Sequence, residues 1–184
     1  MIIGVTGTDG SGKGSVVAHL ISKYNFVHYS SRDLITEEIK KRGLEPTRVN
    51  LRKVANIMRS ENGTDVIVKK ALEKIAADGV EKAVIESIRT INEVETLRKA
   101  GGLLLAIDAP ADVRYERIVG RGSGTDHVSF EDFVKHEKLE MDDPDPNGMQ
   151  KAKVMELADH TISNCDSLEN LYKSVDNFLV AHKK

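Results

Sequence analysis

A chain of 184 residues has room for one core, and a domain of this size buries roughly 70% of the surface that its unfolded form exposes. With 27 basic and 29 acidic side chains the formal net charge is −2, which excludes broad electrostatic binding to nucleic acid or to a membrane and leaves room only for a local basic cleft. No apolar run approaches the roughly 20 residues that span a bilayer. The N-terminus lacks the basic region of a signal peptide, and the single cysteine, Cys165, fits a reducing cytoplasm.

Ile2–Thr6 is predicted as the first strand, an apolar run of the kind that a parallel strand covered on both faces needs. Directly behind it stands GTDGSGKGS, residues 7–15, and behind that a helical pattern over Lys13–Tyr24. Gly7, Gly12 and Lys13 fit G-x-x-x-x-G-K in the strand-to-helix context that this motif requires. The glycines let the backbone curl until successive N–H groups point into one hollow; the helix N-terminus adds partial positive charge and Lys13 a full one. Such a hollow fits a di- or triphosphate. Asp9 faces it, and either lowers its positive charge or orders metal-bound water.

Phe26–Tyr29 reads as the second strand, and Ser30 and Ser31 open a helix over Arg32–Arg42. Ser31 is either the cap of that helix or a ligand to phosphate or ribose. In the next helix, Leu51–Arg59, the apolar Leu51, Val54 and Met58 make the packing side, while Arg52 and Arg59 share a face open to an anion. Thr64 caps a helix over Asp65–Ala77. The third strand, Ala83–Glu86, ends on a carboxylate just ahead of Arg89, whose guanidinium suits a bidentate grip on phosphate. There follow a helix over Ile91–Ala100, a strand over Leu103–Asp108, and a helix over Ala111–Arg121 with Arg117 and Arg121 on one face. Helices over Ser129–Glu140 and Met149–Leu157, a strand over His160–Asn164 and a Ser167-capped helix to His182 complete the chain.

This alternation predicts a three-layer α/β/α fold on a five-stranded parallel sheet, with ligands beyond the carboxyl ends of its strands. Gly7–Gly14, Ser30–Asp33, Glu86–Arg89 and Ala109–Pro110 then share one rim. The reading is of a single domain over residues 1–184 with two insertions, at about 32–66 and about 122–150. The second is rich in Gly, Asp, Pro and Lys, which predicts mobility. Its acidic run, Met141 to Pro146, reads as a solvated loop.

These segments together resemble adenylate kinase and its relatives among the nucleoside monophosphate kinases, P-loop enzymes. Lys13-Gly14-Ser15 has their GKG[ST] order, and Ser30-Ser31-Arg32-Asp33 stands at their S-T-G-D segment. Glu86-Ser87-Ile88-Arg89 takes the place of D-G-I-R, and Arg117-Ile118-Val119-Gly120-Arg121 that of the R-I-x-G-R lid hinge. The short insert and the ending Ala158–Asn164 look closest to archaeal adenylate-kinase-related proteins, near dephospho-CoA kinases.

The resemblance implies ATP and Mg2+ as cofactors and the reaction ATP + (d)NMP → ADP + (d)NDP, with nucleotides as the partners of a monomer or homodimer. It places Thr8, Asp9, Gly10, Ser11, Gly12, Lys13, Gly14 and Ser15 around the donor phosphates. Arg117, Asn164 and Cys165 lie against the donor base, and Ser15 and Glu86 lie beside Mg2+. Ser30, Ser31, Arg32, Arg52, Arg59, Glu86 and Arg89 are assigned to the acceptor, and Lys13, Arg89 and Arg121 to catalysis. The chain departs from the pattern at Glu86 and Ser87, and in a lid without arginine, where Lys135 or Lys138 stands in as a point charge. His127 and His136 carry no special role. Rival readings are a dephospho-CoA kinase with Asp33 as base, and a P-loop sensor or assembly factor with weak ATPase activity. A GTPase is set aside for want of an N-K-x-D motif, and an AAA-type motor for want of chain length.

Overall fold

Five parallel strands form one sheet in the order β2-β3-β1-β4-β5: β1 (Ile2–Gly7), β2 (Val27–Ser30), β3 (Ala83–Glu86), β4 (Leu103–Asp108) and β5 (His160–Ser163). The computed structural model describes residues 1–120 and 129–183, Arg48 by its backbone alone. Every parallel pair needs a crossover, and helices supply it: α1 (Lys13–Tyr24), α2 (Ser31–Lys41), α3 (Arg48–Asn62), α4 (Val66–Ala77), α5 (Ile91–Lys99), α6 (Ala111–Gly120), α7 (Phe130–Met141), α8 (Lys151–Glu156) and α9 (Leu168–Ala181). The three-layer arrangement is the expected one.

Alternation along the strands sorts the core into two layers. Ile3, Val5, Val84, Leu105 and Ile107 face α1 and α9, where they meet Val16, Leu20, Val175 and Phe178. Ala83, Ile85 and Leu104 face the other way, toward Val54, Met58, Ile67 and Leu97. Each fully buried aliphatic side chain is worth about 1.5–3 kcal/mol. Register brings the strand ends together: Gly7 lies beside Ile107, Ser30 beside Glu86, and Asp108 beside Ser163.

Two expected caps move. Ser30, not Ser31, caps α2 by accepting the Asp33 N–H at 3.2 Å; Ser31 is the first helical residue, buried, with its hydroxyl given to the Glu86 carbonyl at 2.6 Å. Asp65 occupies the cap position of α4 without a side-chain capping bond, its carboxylate being taken by Thr96 and Lys69. Thr64 is used elsewhere, its carbonyl accepting the Thr90 hydroxyl and its own hydroxyl accepting the Asn92 amide. Ser167 caps α9 as expected, and Thr90 and Glu93 form a reciprocal capping box on α5.

The helix that follows the phosphate loop is clamped from behind. Asp176 on α9 receives Lys23 Nζ at 2.7 Å and Tyr24 Oη at 2.8 Å, and meets His19 Nε2 at 2.7 Å. The His19 ring also stacks on Tyr172 at 4.2 Å. Burial pushes the Asp176 carboxyl up, but the bonds from Lys23, His19 and Tyr24 outweigh it and hold the pKa at about 2 against an ordinary 3.8. Asp176→Ala is expected to cost about 1–3 kcal/mol at neutral pH. Because the folded pKa is the depressed one, the share carried by the carboxylate charge is present above about pH 4 and fades as pH falls toward 2. Urea unfolding of both proteins across that range checks it.

Candidate functional site

At the carboxyl rim the chain leaves β1 through Gly7, at φ 133°, and only glycine fits: a Cβ there would lie 1.9 Å from the Ile107 carbonyl oxygen. Gly12, at φ 102°, caps α1, and a Cβ on it would lie 2.5 Å from the Asn164 amide nitrogen. That amide donates to the Ser11 carbonyl at 2.7 Å, so the loop after β5 braces the loop after β1. Thr8 gives its hydroxyl to Asp108 at 2.7 Å, and the buried Ser11 gives its own to the Thr8 carbonyl at 2.8 Å. Both side chains serve the loop's shape; what these residues offer a ligand is backbone.

Lys13 folds back over this loop. Its Nζ donates to the carbonyls of Thr8 at 2.7 Å and Gly7 at 3.1 Å, and lies 3.7 Å from Asp9. Burial pulls its pKa down to about 8 against the pull of Asp9. Asp9 is itself pinned. Burial would raise its pKa, but Lys151, Lys13 and Arg89 together hold it far below the usual carboxylate range. Lys151, at the start of α8 and buried, reaches Asp9 at 3.2 Å and Glu140 at 2.8 Å. Arg89 gives Nη1 to the Met149 sulfur at 2.7 Å and lies 3.9 Å from Glu140. Lys13, Arg89, Lys151 and Asp9 thus line one small cavity with Thr6, Gly7, Ser87 and Ile88.

Neither Lys151 nor Arg114 is picked out by the sequence. Lys135 and Lys138, the expected stand-ins for a lid arginine, line a separate surface groove with Leu139 and Asp142; it is Lys151 that reaches the phosphate loop. The buried Arg114 pairs with both carboxylate oxygens of Glu137 on α7, gives Nε to the Ala109 carbonyl and Nη1 to the Asp9 carbonyl, and lies over the Phe133 ring. It ties α6, α7 and the phosphate loop into one piece.

Glu86 is engaged by His28 Nε2 at 3.0 Å, across the β2–β3 pair. That bond keeps its pKa below the ordinary value against the effect of burial, with help from Lys13 and Arg89. A strand-end hydrogen bond is therefore part of its role. Ser87 sits at φ 70°, a left-handed conformation that costs a side-chain-bearing residue about 1–2 kcal/mol and that glycine adopts freely. Among the described residues, no group of three His, Cys, Asp or Glu converges to hold a metal ion.

On the base side, Arg117 donates Nη1 to the Asn164 carbonyl at 3.1 Å, bringing together two residues assigned there. Cys165 is exposed, with Sγ 3.1 Å from the Ser163 hydroxyl. On the acceptor side the structure shows what each assigned residue already touches. Ser30 and Ser31 are used in starting α2, and Arg32 is exposed. Arg52 is paired with Asp143 and Arg59 is buried near Glu93, so the acidic run is not a solvated loop: it is docked on α3. Arg121 and His127 lie outside the described residues.

Residues 6–134 match the sequence profile of a family described as AAA domain; with the sheet order and the loop, this defines a P-loop nucleotide-binding domain of kinase-like fold. A match over the P-loop core does not by itself make the chain an AAA motor. Over 170 residues the chain is 33% identical to a UPF0200 protein of Hyperthermus butylicus, covering 92% of this chain and 88% of that one. It belongs to the UPF0200 family. TT1252 from Thermus thermophilus has a similar structure, with a TM-score of 0.68 at 19% identity over 100% of this chain and 98% of that one. Shikimate kinase from Aquifex aeolicus gives 0.58 at 19% identity, over 98% and 97%. At such identity the likeness is one of fold. Among the described residues no helix is long and apolar enough to cross a membrane.

Proposed function

We propose that this protein transfers the γ-phosphoryl group of ATP to a nucleoside or deoxynucleoside monophosphate. The observation that carries the reading is the convergence of Lys13, Arg89 and Lys151 on one cavity at the mouth of the phosphate loop. A phosphate acceptor is already anionic, so it needs no strong general base. The work left to the protein is alignment and neutralisation of charge, which this cation-rich and base-poor site suits.

In this reading the amides from Thr8 to Ser15 and the Lys13 ammonium hold the donor phosphates. Lys13 exchanges its two carbonyl partners for phosphate oxygens as they arrive. Arg89 holds the acceptor phosphate, and Lys151 supplies the charge that relatives draw from lid arginines. Arg117 and the Asn164–Cys165 turn flank the donor base, and Arg121 keeps the role that the resemblance gives it, toward the transferring phosphoryl group. Ser15 and Glu86 are the residues that would stand beside Mg2+, which, bound with the donor mainly through phosphate and water, would supply further neutralisation. With α7 tied to the phosphate loop through Arg114, water is kept from competing as acceptor.

One observation favours a second reading, a nucleotide sensor with feeble turnover: Asp9 is a fixed negative charge inside the phosphate hollow. The test is ADP formation from ATP and Mg2+ with every ribo- and deoxyribonucleoside monophosphate, dephospho-CoA and a no-acceptor control. Turnover with one or two monophosphates, well above the control, is expected. Turnover with dephospho-CoA alone moves the protein to a hydroxyl acceptor, and ADP release that no acceptor accelerates makes it a sensor.

A further inference from the structure

The acidic run is the one sequence motif that the proposed reaction does not use. In the structure it forms a tight loop against α3. Asp143 is buried; its Oδ2 accepts Arg52 Nη2 at 2.7 Å and its Oδ1 accepts the Asp145 N–H at 3.1 Å. Asp145 Oδ2 accepts the Asn56 amide at 2.9 Å. The Asn147 carbonyl faces Arg59 Nη1 at 3.4 Å, and the Met149 sulfur takes Arg89 Nη1 at 2.7 Å. One loop thus occupies three of the four arginines assigned to the acceptor, with a carboxylate, a carbonyl and a thioether.

The match is poor where it matters most. The Arg59 side chain is only 2% exposed, yet Glu93 lies 4.0 Å away, and among the described residues the two hydrogen bonds of Arg59 are 3.4 Å long and its buried Nε has no partner. A thioether is likewise a weak acceptor for the Arg89 guanidinium. A phosphate dianion would serve all three arginines better, through charge-assisted and bidentate bonds.

We infer that the loop from Asp142 to Gln150 is a resident plug of the acceptor's phosphate site, in which the Asp143 carboxylate stands on Arg52 until an acceptor phosphate displaces it. The inference rests on the proposed function in taking the acceptor to be a phosphate monoester. The plug taxes the acceptor: its apparent affinity is the intrinsic one multiplied by the fraction of molecules with the loop released. Gly148 sets that fraction, because a Cβ on it would lie 2.4 Å from Asp143 Cγ and drive the carboxylate from its seat without altering any charge.

Two variants release the loop by different means, Asp143→Asn by weakening the Arg52 bond and Gly148→Ala by crowding. In both, the acceptor KM is expected to fall about tenfold, with the ATP KM within a factor of about two of the parent. A raised acceptor KM or lost turnover in both overturns the inference and makes the loop a supporting wall of the site. Inorganic phosphate separates this outcome from failure of the kinase reading. It should shift the amide NMR signals of Asn147 and Gly148 in the unaltered protein, at lower concentration in Gly148→Ala. If those signals stay fixed while the Gly12 and Gly14 amides respond to phosphate, the plug is refuted. If they move although no monophosphate supports turnover, the plug stands and the kinase reading falls.

Discussion

Lys13→Ala is expected to lower ATP-dependent phosphoryl transfer by about two to three orders of magnitude and to leave the protein folded. The fold should tolerate the loss because Nζ holds only two loop carbonyls and a part-exposed carboxylate, while Gly7, Thr8 and Ser11 fix the loop without it. Turnover should not tolerate it, because it removes the cation closest to the loop. The lysine also carries a pH signature. Burial brings its pKa to about 8, so in the empty site it is charged below that pH and increasingly neutral above it. ATP binding should therefore weaken as pH rises from 7 to 9, and Lys13→Met should bind weakly and with little change over the same interval. Calorimetric titration at both values, beside the rate assay, checks both expectations. Near-parental turnover in Lys13→Ala refutes this placement of the lysine.

The second large effect is at Lys151, where stability and chemistry have to be separated. Lys151→Met takes from Asp9 and Glu140 their shared ammonium, leaving Lys13 at 3.7 Å from Asp9 and Arg89 at 3.9 Å from Glu140, and should cost about 2 kcal/mol, less than a fully buried pair because Asp9 is part-exposed. It should also lower turnover about a hundredfold. Lys151→Arg keeps the charge and should keep most of both. The double variant Asp9→Asn with Lys151→Met is decisive. Removing the less compensated Asp9 charge should restore much of the stability without restoring turnover, as thermal melts and rates together would show. Recovery of both would mean that Lys151 only holds the loop in place.

What the sequence discloses and what it hides divide along a physical line. The strands are legible because a parallel strand covered on both faces must be apolar throughout, as Val84 and Ile85 and then Leu104 to Ile107 are. The phosphate loop is legible because its G-x-x-x-x-G-K spacing lies within a local strand–turn–helix unit, although the contacts that force glycine at 7 and 12 come from Ile107 and Asn164. Arg89 and Arg117 are legible from their place in recognisable segments. Lys151 and Arg114 are not: each acquires its meaning from a partner far along the chain, Asp9 in both cases, and no local pattern announces such a meeting. The acidic run is misread for the same reason. Its composition is that of a solvated loop, and only the arrival of Arg52 and Asn56 from α3 makes it a docked one. Even the cap of α4 is decided by tertiary bonds, since Thr64 is occupied by Thr90 and Asn92.

The place of β1 in the sheet bears on how the chain is made. β1 is synthesised before the other four strands of the sheet and is the central one among them, and its two neighbours are β3 and β4. At 5–20 residues per second, Ile2–Gly7 must wait on the order of ten seconds for both neighbours to emerge. In that interval its apolar faces and both backbone edges are unpaired, and pairing so distant in sequence is slow to form. Nascent chains halted before Leu103 should therefore aggregate or recruit chaperones, whereas chains extended past Asp108 should not.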